Sequence, residues 1–172
     1  MTASMLPVRN PRTGEIDYHI PETSEQDVAA LSQMLRQAQT DWFALGAEGR
    51  AVCLNRFADA VASELVPLAE ALDLDTCRTT FAKFEAAKSI ELIRMWAQKS
   101  GPILEAMSGS CASEQVPSVD FEHRLIPYQM VAVISPWNVP LLLAMIDSLA
   151  ALSAGCAVLL KPSEVTPRFI KP

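Results

Sequence analysis

Two short β-branched runs flanking one helix-length apolar segment constrain this chain more than any other feature. Val131-Ala132-Val133-Ile134 is stopped by Ser135-Pro136, and Ala157-Val158-Leu159-Leu160 is stopped by Lys161-Pro162. Runs of this length, bounded by proline, read as buried strands. Between them, Val139 to Ala154 is long enough for a helix and apolar nearly all round, and Gly155 follows in the position of a C-terminal cap. A strand–helix–strand crossover leaves its strands parallel and right-handed, so the residues just past each strand emerge on one edge of the sheet. Asn138 should therefore share a crevice with Lys161 and Glu164. Open α/β sheets bind ligands at that edge, and an amide, an ammonium and a carboxylate gathered there suit a polar ligand carrying phosphate or ribose.

With 172 residues, 50% of them hydrophobic, the chain can bury a sizeable core. A formal charge of -6 argues against a nucleic-acid backbone as partner, which would call for a basic patch. Cys53, Cys77, Cys111 and Cys156 are widely spaced and show no ligand spacing with His19 or His123, so neither a metal site nor disulfides are expected. The opening MTASMLPVRNPRTGE holds no apolar secretory segment, and a reducing cytoplasm is expected. Val139 to Leu160 has the length of a membrane span. Asp147 near its middle would cost about 2.5–3.5 kcal/mol there, Pro140 enters it, and Gly155 before a β-branched run marks a switch from helix to strand. No membrane partner is expected.

Earlier in the chain, Ile16 to Ile20 sits among Asn10-Pro11, Thr13-Gly14 and Pro21 and reads as a surface turn or hairpin. Ser24 with Asp27 three residues on opens a helix carrying Val28, Leu31, Leu35, Ala38 and Trp42. A second helix spans Ala47 to Leu65 with Cys53, Leu54, Phe57, Val61 and Leu65 on its stripe, and Pro67 can start another helical turn. A third runs from about Thr80 to Ser100, where Gly101-Pro102 stops it, and presents Phe84, Ala87, Ile90, Ile93 and Ala97. Its charges, Lys83, Glu85, Lys88, Glu91 and Arg94, read as a solvated face with pairs Glu85–Lys88 and Glu91–Arg94. From Val119 to Ile126 apolar and polar residues alternate as in a half-buried strand, with His123 on the apolar side.

The strings PWNVPL and KPSEVTP, separated by a helix ending Ser153-Ala154-Gly155, resemble the coenzyme-domain signature of NAD(P)-dependent aldehyde dehydrogenases. Asn10-Pro11-Arg12-Thr13-Gly14-Glu15 resembles that family's N-terminal turn, and the stretch leading to Leu74-Asp75-Thr76 its early helices. The resemblance implies an α/β fold in which N-terminal helices and an extended strand lead into the first βαβ unit of a Rossmann-like domain. Residues 1–110 would form the helical part, 111–127 an oligomerisation strand, and 128–172 the start of the NAD-binding unit. In that family an aldehyde becomes a carboxylic acid through a cysteine thioester, with hydride passed to the nicotinamide. Asn138 matches the oxyanion-stabilising asparagine, while Ile134, Ser135, Pro136, Trp137, Lys161, Ser163 and Glu164 match the coenzyme contacts. A carboxylate facing both ribose hydroxyls repels a 2′-phosphate, so Glu164 favours NAD over NADP.

The resemblance also has departures. Met130 and Cys156 stand where the family commonly has glycine and asparagine, and Cys77-Arg78 where Gly-Lys often follows Asp-Thr, which places the tight turns there in question. The family's glycine-rich turn, general-base glutamate and nucleophilic cysteine lie downstream of the matched region. The expectation is therefore a truncated chain, inactive alone, completed by the remainder of the enzyme or a second chain carrying the nucleophile, in a homodimer or homotetramer. Cys156, between a helix cap and a buried strand, is expected to be inert. The rival expectation is an inactive interaction module that keeps the helices and the strand at 118–126 as an assembly surface.

Overall fold

The computed structural model describes residues 4–172. A hairpin comes first: β1 (Met5–Arg9) pairs antiparallel with β2 (Ile16–Pro21), with a bulge between Val8 and Arg9. Four helices follow, α1 (Glu25–Ala44), α2 (Gly46–Ser63), α3 (Leu65–Thr76) and α4 (Thr79–Ala106). Then come an antiparallel arm, β3 (Gly109–Ala112) with β4 (Asp120–His123), and the unit β5 (Met130–Ile134), α5 (Pro140–Ala154), β6 (Ala157–Lys161). A 3₁₀ turn at Arg168–Ile170 follows. The strands make three separate two-stranded sheets, and β5 and β6 pair in parallel, as the crossover requires.

The first helix begins as the sequence dictates: Ser24 Oγ accepts from the Asp27 amide at 3.1 Å and donates to the Asp27 carboxylate at 2.7 Å. Its apolar stripe remains largely open, with Val28 and Leu31 exposed, and the residue that α1 buries is Gln39. Gln39 Nε2 donates to the Gly155 carbonyl at 2.8 Å, Trp42 Nε1 to Leu152 at 2.9 Å and Arg50 Nε to Ser153 at 3.1 Å. Side chains of α1 and α2 thus satisfy the carbonyls that the end of α5 leaves without helical partners.

The long helix α4 packs against α2, α3 and α5 and forms the spine of the core. One apolar cluster joins Leu68, Leu72, Ala82, Ala86, Leu141 and Phe169, and a second joins Leu54, Ala58, Ile93, Ala97 and Leu149. The buried side of α4 differs from the stripe expected from sequence. Ile93 and Ala97 are buried as expected, but Phe84 and Ala87 are exposed, and Ala82, Glu85, Ala86, Ser89 and Ser100 are buried in addition. Small residues on that side let α2 and α5 approach closely, and this close packing outweighs the larger apolar area of Phe84.

Three further expectations are corrected. The helix does not stop at Gly101-Pro102 but continues to Ala106 with Pro102 inside it, since a proline near a helix end removes a single hydrogen bond. The charged residues of α4 do not form one solvated face: Glu85 is 1% exposed, and the ion pairs are Lys88–Glu91 at 2.6 Å and Arg94–Asp59 at 2.7 Å. The strand read over Val119 to Ile126 is shorter, and all four residues of β4, His123 included, are exposed. Its partner β3 leaves both faces of the arm uncovered. None of the described helices is long and apolar enough to cross a membrane.

The tight turns survive their unusual residues. Cys77 ends α3 in the left-handed region, at φ 55°, where a glycine would be unstrained. Gly155 ends α5 at φ 101° and the chain enters β6 within two residues. Arg168 ties distant segments together: its amide and Nε reach the buried Asp75 at 2.9 and 2.5 Å, its guanidinium also bonds Asp17, and its Cζ lies 4.7 Å from the Tyr18 ring centroid.

Candidate active site

The register of β5 with β6 sets the site. Ile134 pairs with Lys161, and the Ser135 amide donates to the Lys161 carbonyl at 2.9 Å, so both chains leave the sheet at the same level. Asn138 and the Lys161–Glu164 segment accordingly share one edge, as the crossover argument required.

Each turn is held by its own polar contacts. Buried Ser135 donates from Oγ to the Pro140 carbonyl at 2.5 Å, which folds the chain back before α5. Thr166, 1% exposed, donates from Oγ1 to the Trp137 carbonyl at 3.0 Å and so links the turn after β5 to the one after β6. Arg78 Nη1 donates to the Asn138 carbonyl at 3.0 Å. Beyond β6, Ser163 is buried and its Oγ accepts from the Val165 amide at 3.2 Å.

The side chains facing outward are of two kinds. Trp137 and Ile134 are 63% and 74% exposed, an apolar surface beside the strand ends. Lys161 Nζ and Glu164 Oε2 lie 2.8 Å apart as an exposed pair, and the hydrogen bond from Lys161 holds the Glu164 carboxyl below its ordinary range. Such a pair offers a donor and an acceptor side by side, the chemistry that a vicinal diol satisfies. Asn138 is exposed, and among the described residues no hydrogen bond engages its side-chain amide. The residues present therefore fit a ribose-bearing dinucleotide at this edge, with an apolar surface beside it.

Two residues at the site escaped the sequence reading. Arg78 was visible only as a departure from the expected Gly-Lys, and Glu85 was placed on the solvated face. Glu85 Oε1 accepts from the amides of Leu141 and Leu142, at 2.8 and 3.0 Å, at the start of α5. Burial raises its carboxyl above the ordinary range, opposed by these two bonds and by Arg78. Cys156 is buried, and burial raises its thiol.

The sequence profile of the aldehyde dehydrogenase family matches residues 1–170. A 2-aminomuconic semialdehyde dehydrogenase of Bos taurus is 30% identical over 166 residues, covering 95% of this chain and 33% of that protein. The Anabaena variabilis protein PutA, assigned as an aldehyde dehydrogenase, superimposes with a TM-score of 0.91 at 39% identity, over 98% of this chain and 35% of that one. A betaine aldehyde dehydrogenase double mutant of Staphylococcus aureus, solved in complex with NAD+, superimposes with a TM-score of 0.88 over 97% of this chain and 34% of that one; at 24% identity this likeness speaks to fold alone. The chain spans about a third of the length of the curated relatives it matches. With the βαβ unit and its polar edge in the register described, the profile match over nearly its whole length places this chain in the aldehyde dehydrogenase family.

Proposed function

We propose that this chain supplies the coenzyme edge and one oxyanion donor of an enzyme that oxidises an aldehyde to a carboxylic acid. The nucleophilic cysteine and the general base belong to the remainder of that enzyme or to a second chain. The family draws on NAD or NADP, which when bound accepts a hydride. Lys161 and Glu164 would hold its adenosine ribose, Ile134, Ser135, Pro136, Trp137 and Ser163 would form the adjoining wall, and Glu164 would favour NAD by repelling a 2′-phosphate. The Asn138 amide would donate to the oxygen that gains charge when the nucleophile attacks the carbonyl. The observation that carries this reading is the parallel register, which brings Asn138 and the Lys161–Glu164 pair to one edge.

In this reading residues 1–110 are the helical part, 111–127 the assembly strand and 128–172 the start of the nucleotide-binding unit. The exposed β3–β4 arm, with Phe121 54% exposed, favours a homodimer or homotetramer, and equally a role as an interaction module. Four free cysteines suit a cytoplasmic setting. The test is Asn138→Ala in the catalytically complete enzyme. Turnover should fall about 10²–10³-fold with coenzyme affinity nearly unchanged. Equal losses in rate and affinity would make Asn138 structural, and activity that survives without any cysteine nucleophile would exclude the thioester route.

A further inference from the structure

We propose that Glu85 and Arg78 are positioning residues for Asn138, clamping the turn between β5 and α5 from the opening turns of α4. The inference rests on the oxyanion role of Asn138 proposed above and adds what fixes that donor in place.

The N-terminus of α5 has no cap of its own. Its N-cap, Val139, makes no side-chain hydrogen bond, and Pro140 takes the first helical position. Amides of a first helical turn need partners from outside the helix. Here the partner is Glu85, 56 positions from Leu141 in sequence, whose Oε1 takes both the Leu141 and the Leu142 amide. A carboxylate is well matched to a helix N-terminus, and bonds to it are stronger than those to a neutral acceptor.

The arrangement is costly for a task that a local serine could perform. Glu85 is 1% exposed and its Oε2 is buried without a partner among the described residues, so the carboxylate is desolvated and only half satisfied. A serine at position 139 would cap α5 from within and bury no charge. What a local cap cannot do is fix the start of α5 relative to another helix. Arg78, the residue preceding α4, supplies the second point of the clamp: it donates to the Asn138 carbonyl, and its own guanidinium is steadied over the Phe81 ring, 4.0 Å from Cζ to centroid. Asn138 is therefore held at its own carbonyl on one side and through the amides of Leu141 and Leu142 on the other. With the backbone pinned, the amide of Asn138 retains only its side-chain torsions. That matters because a donor misplaced by about 1 Å can cost on the order of 10²-fold in rate.

The experiment is a pair of double-mutant cycles in the catalytically complete enzyme. Glu85→Ala and Arg78→Met should each lower kcat by about 10-fold or more, with KM for coenzyme and aldehyde within about 2-fold. Glu85→Gln, which keeps an acceptor for both amides, should retain most of the kcat. In an Asn138→Ala background neither Glu85→Ala nor Arg78→Met should lower kcat by more than about 2-fold further, because the group they position is gone. Losses that multiply in that background would overturn the positioning role and leave the oxyanion reading intact. An unchanged kcat for Asn138→Ala alone would overturn the oxyanion reading, and with it any reason for the clamp. Should Glu85→Ala fail to fold, Arg78→Met decides the matter by the same cycle.

Discussion

Replacing Gly155 with alanine tests how the nucleotide-binding unit is closed. Gly155 sits at φ 101°, ψ 15°, a conformation that L side chains rarely adopt. Holding a non-glycine residue in such a region costs about 1–3 kcal/mol. An added Cβ would also lie 2.7 Å from Phe43 Cδ2, well inside van der Waals contact. Phe43 is 45% exposed and can swing aside, at the expense of its stacking with Arg50, whose Cζ is 5.9 Å from the ring centroid. An exposed contact of that kind is worth about 0.5–1 kcal/mol. The sum is about 1.5–4 kcal/mol, which for a protein of this size lowers the melting temperature by about 3–16 °C. Thermal melting of wild type, Gly155→Ala, Phe43→Ala and the double variant measures both parts. The strain does not depend on the ring, so Gly155→Ala should still cost about 1–3 kcal/mol in the Phe43→Ala background. A neutral effect there would show that the ring, and not the backbone dihedral, demands glycine.

Three other outcomes are expected. Glu164→Gln should raise the NADP:NAD ratio of kcat/KM in the complete enzyme by relieving repulsion of a 2′-phosphate, and an unchanged ratio would remove Glu164 from the ribose site. Burial raises the Glu85 carboxyl above its ordinary 4.5, so its contribution to stability is present at low pH and is lost as pH rises through the raised value. Urea midpoints of Glu85→Gln and wild type should therefore converge below pH 4.5 and separate at neutral pH in favour of the variant; a gap independent of pH would contradict this. Residues 1–172 expressed alone should self-associate in light scattering and oxidise no aldehyde, because Ile126, Ile134, Trp137 and Tyr128 are all more than half exposed; a stable monomer would contradict the first half.

What could be read from sequence was what local chemistry decides. The strands β5 and β6 were legible because β-branched runs met Ser-Pro and Lys-Pro, and the end of α5 because Gly155 takes a conformation that few other residues can. The start of α1 followed from Ser24 and Asp27 for the same reason. Glu85 was illegible because its burial is decided by α5, a helix far along the chain that has no cap of its own. The first half of α4 was misread because Phe84 outweighs any alanine in a hydrophobic count, whereas close helix packing selects Ala82 and Ala86 there; Ile93 and Ala97 are buried as expected. Val119 to Ile126 alternates like a half-buried strand, yet among the described residues no element covers either face of the β3–β4 arm. Alternation records a need for burial and does not say what provides it.

The bonds from Gln39, Trp42 and Arg50 to the end of α5 also have a meaning in time. They span 116, 110 and 103 positions of sequence, so on the ribosome the donors emerge long before their acceptors exist. At about 5–20 residues per second the interval is roughly 5–23 s. Throughout it, the ends of α1 and α2 present unpaired donors and an apolar flank with nothing yet to receive them. Lesions at Gln39, Trp42 or Arg50 would accordingly be felt first in the yield of folded protein emerging from synthesis, ahead of any change in the finished molecule's rate.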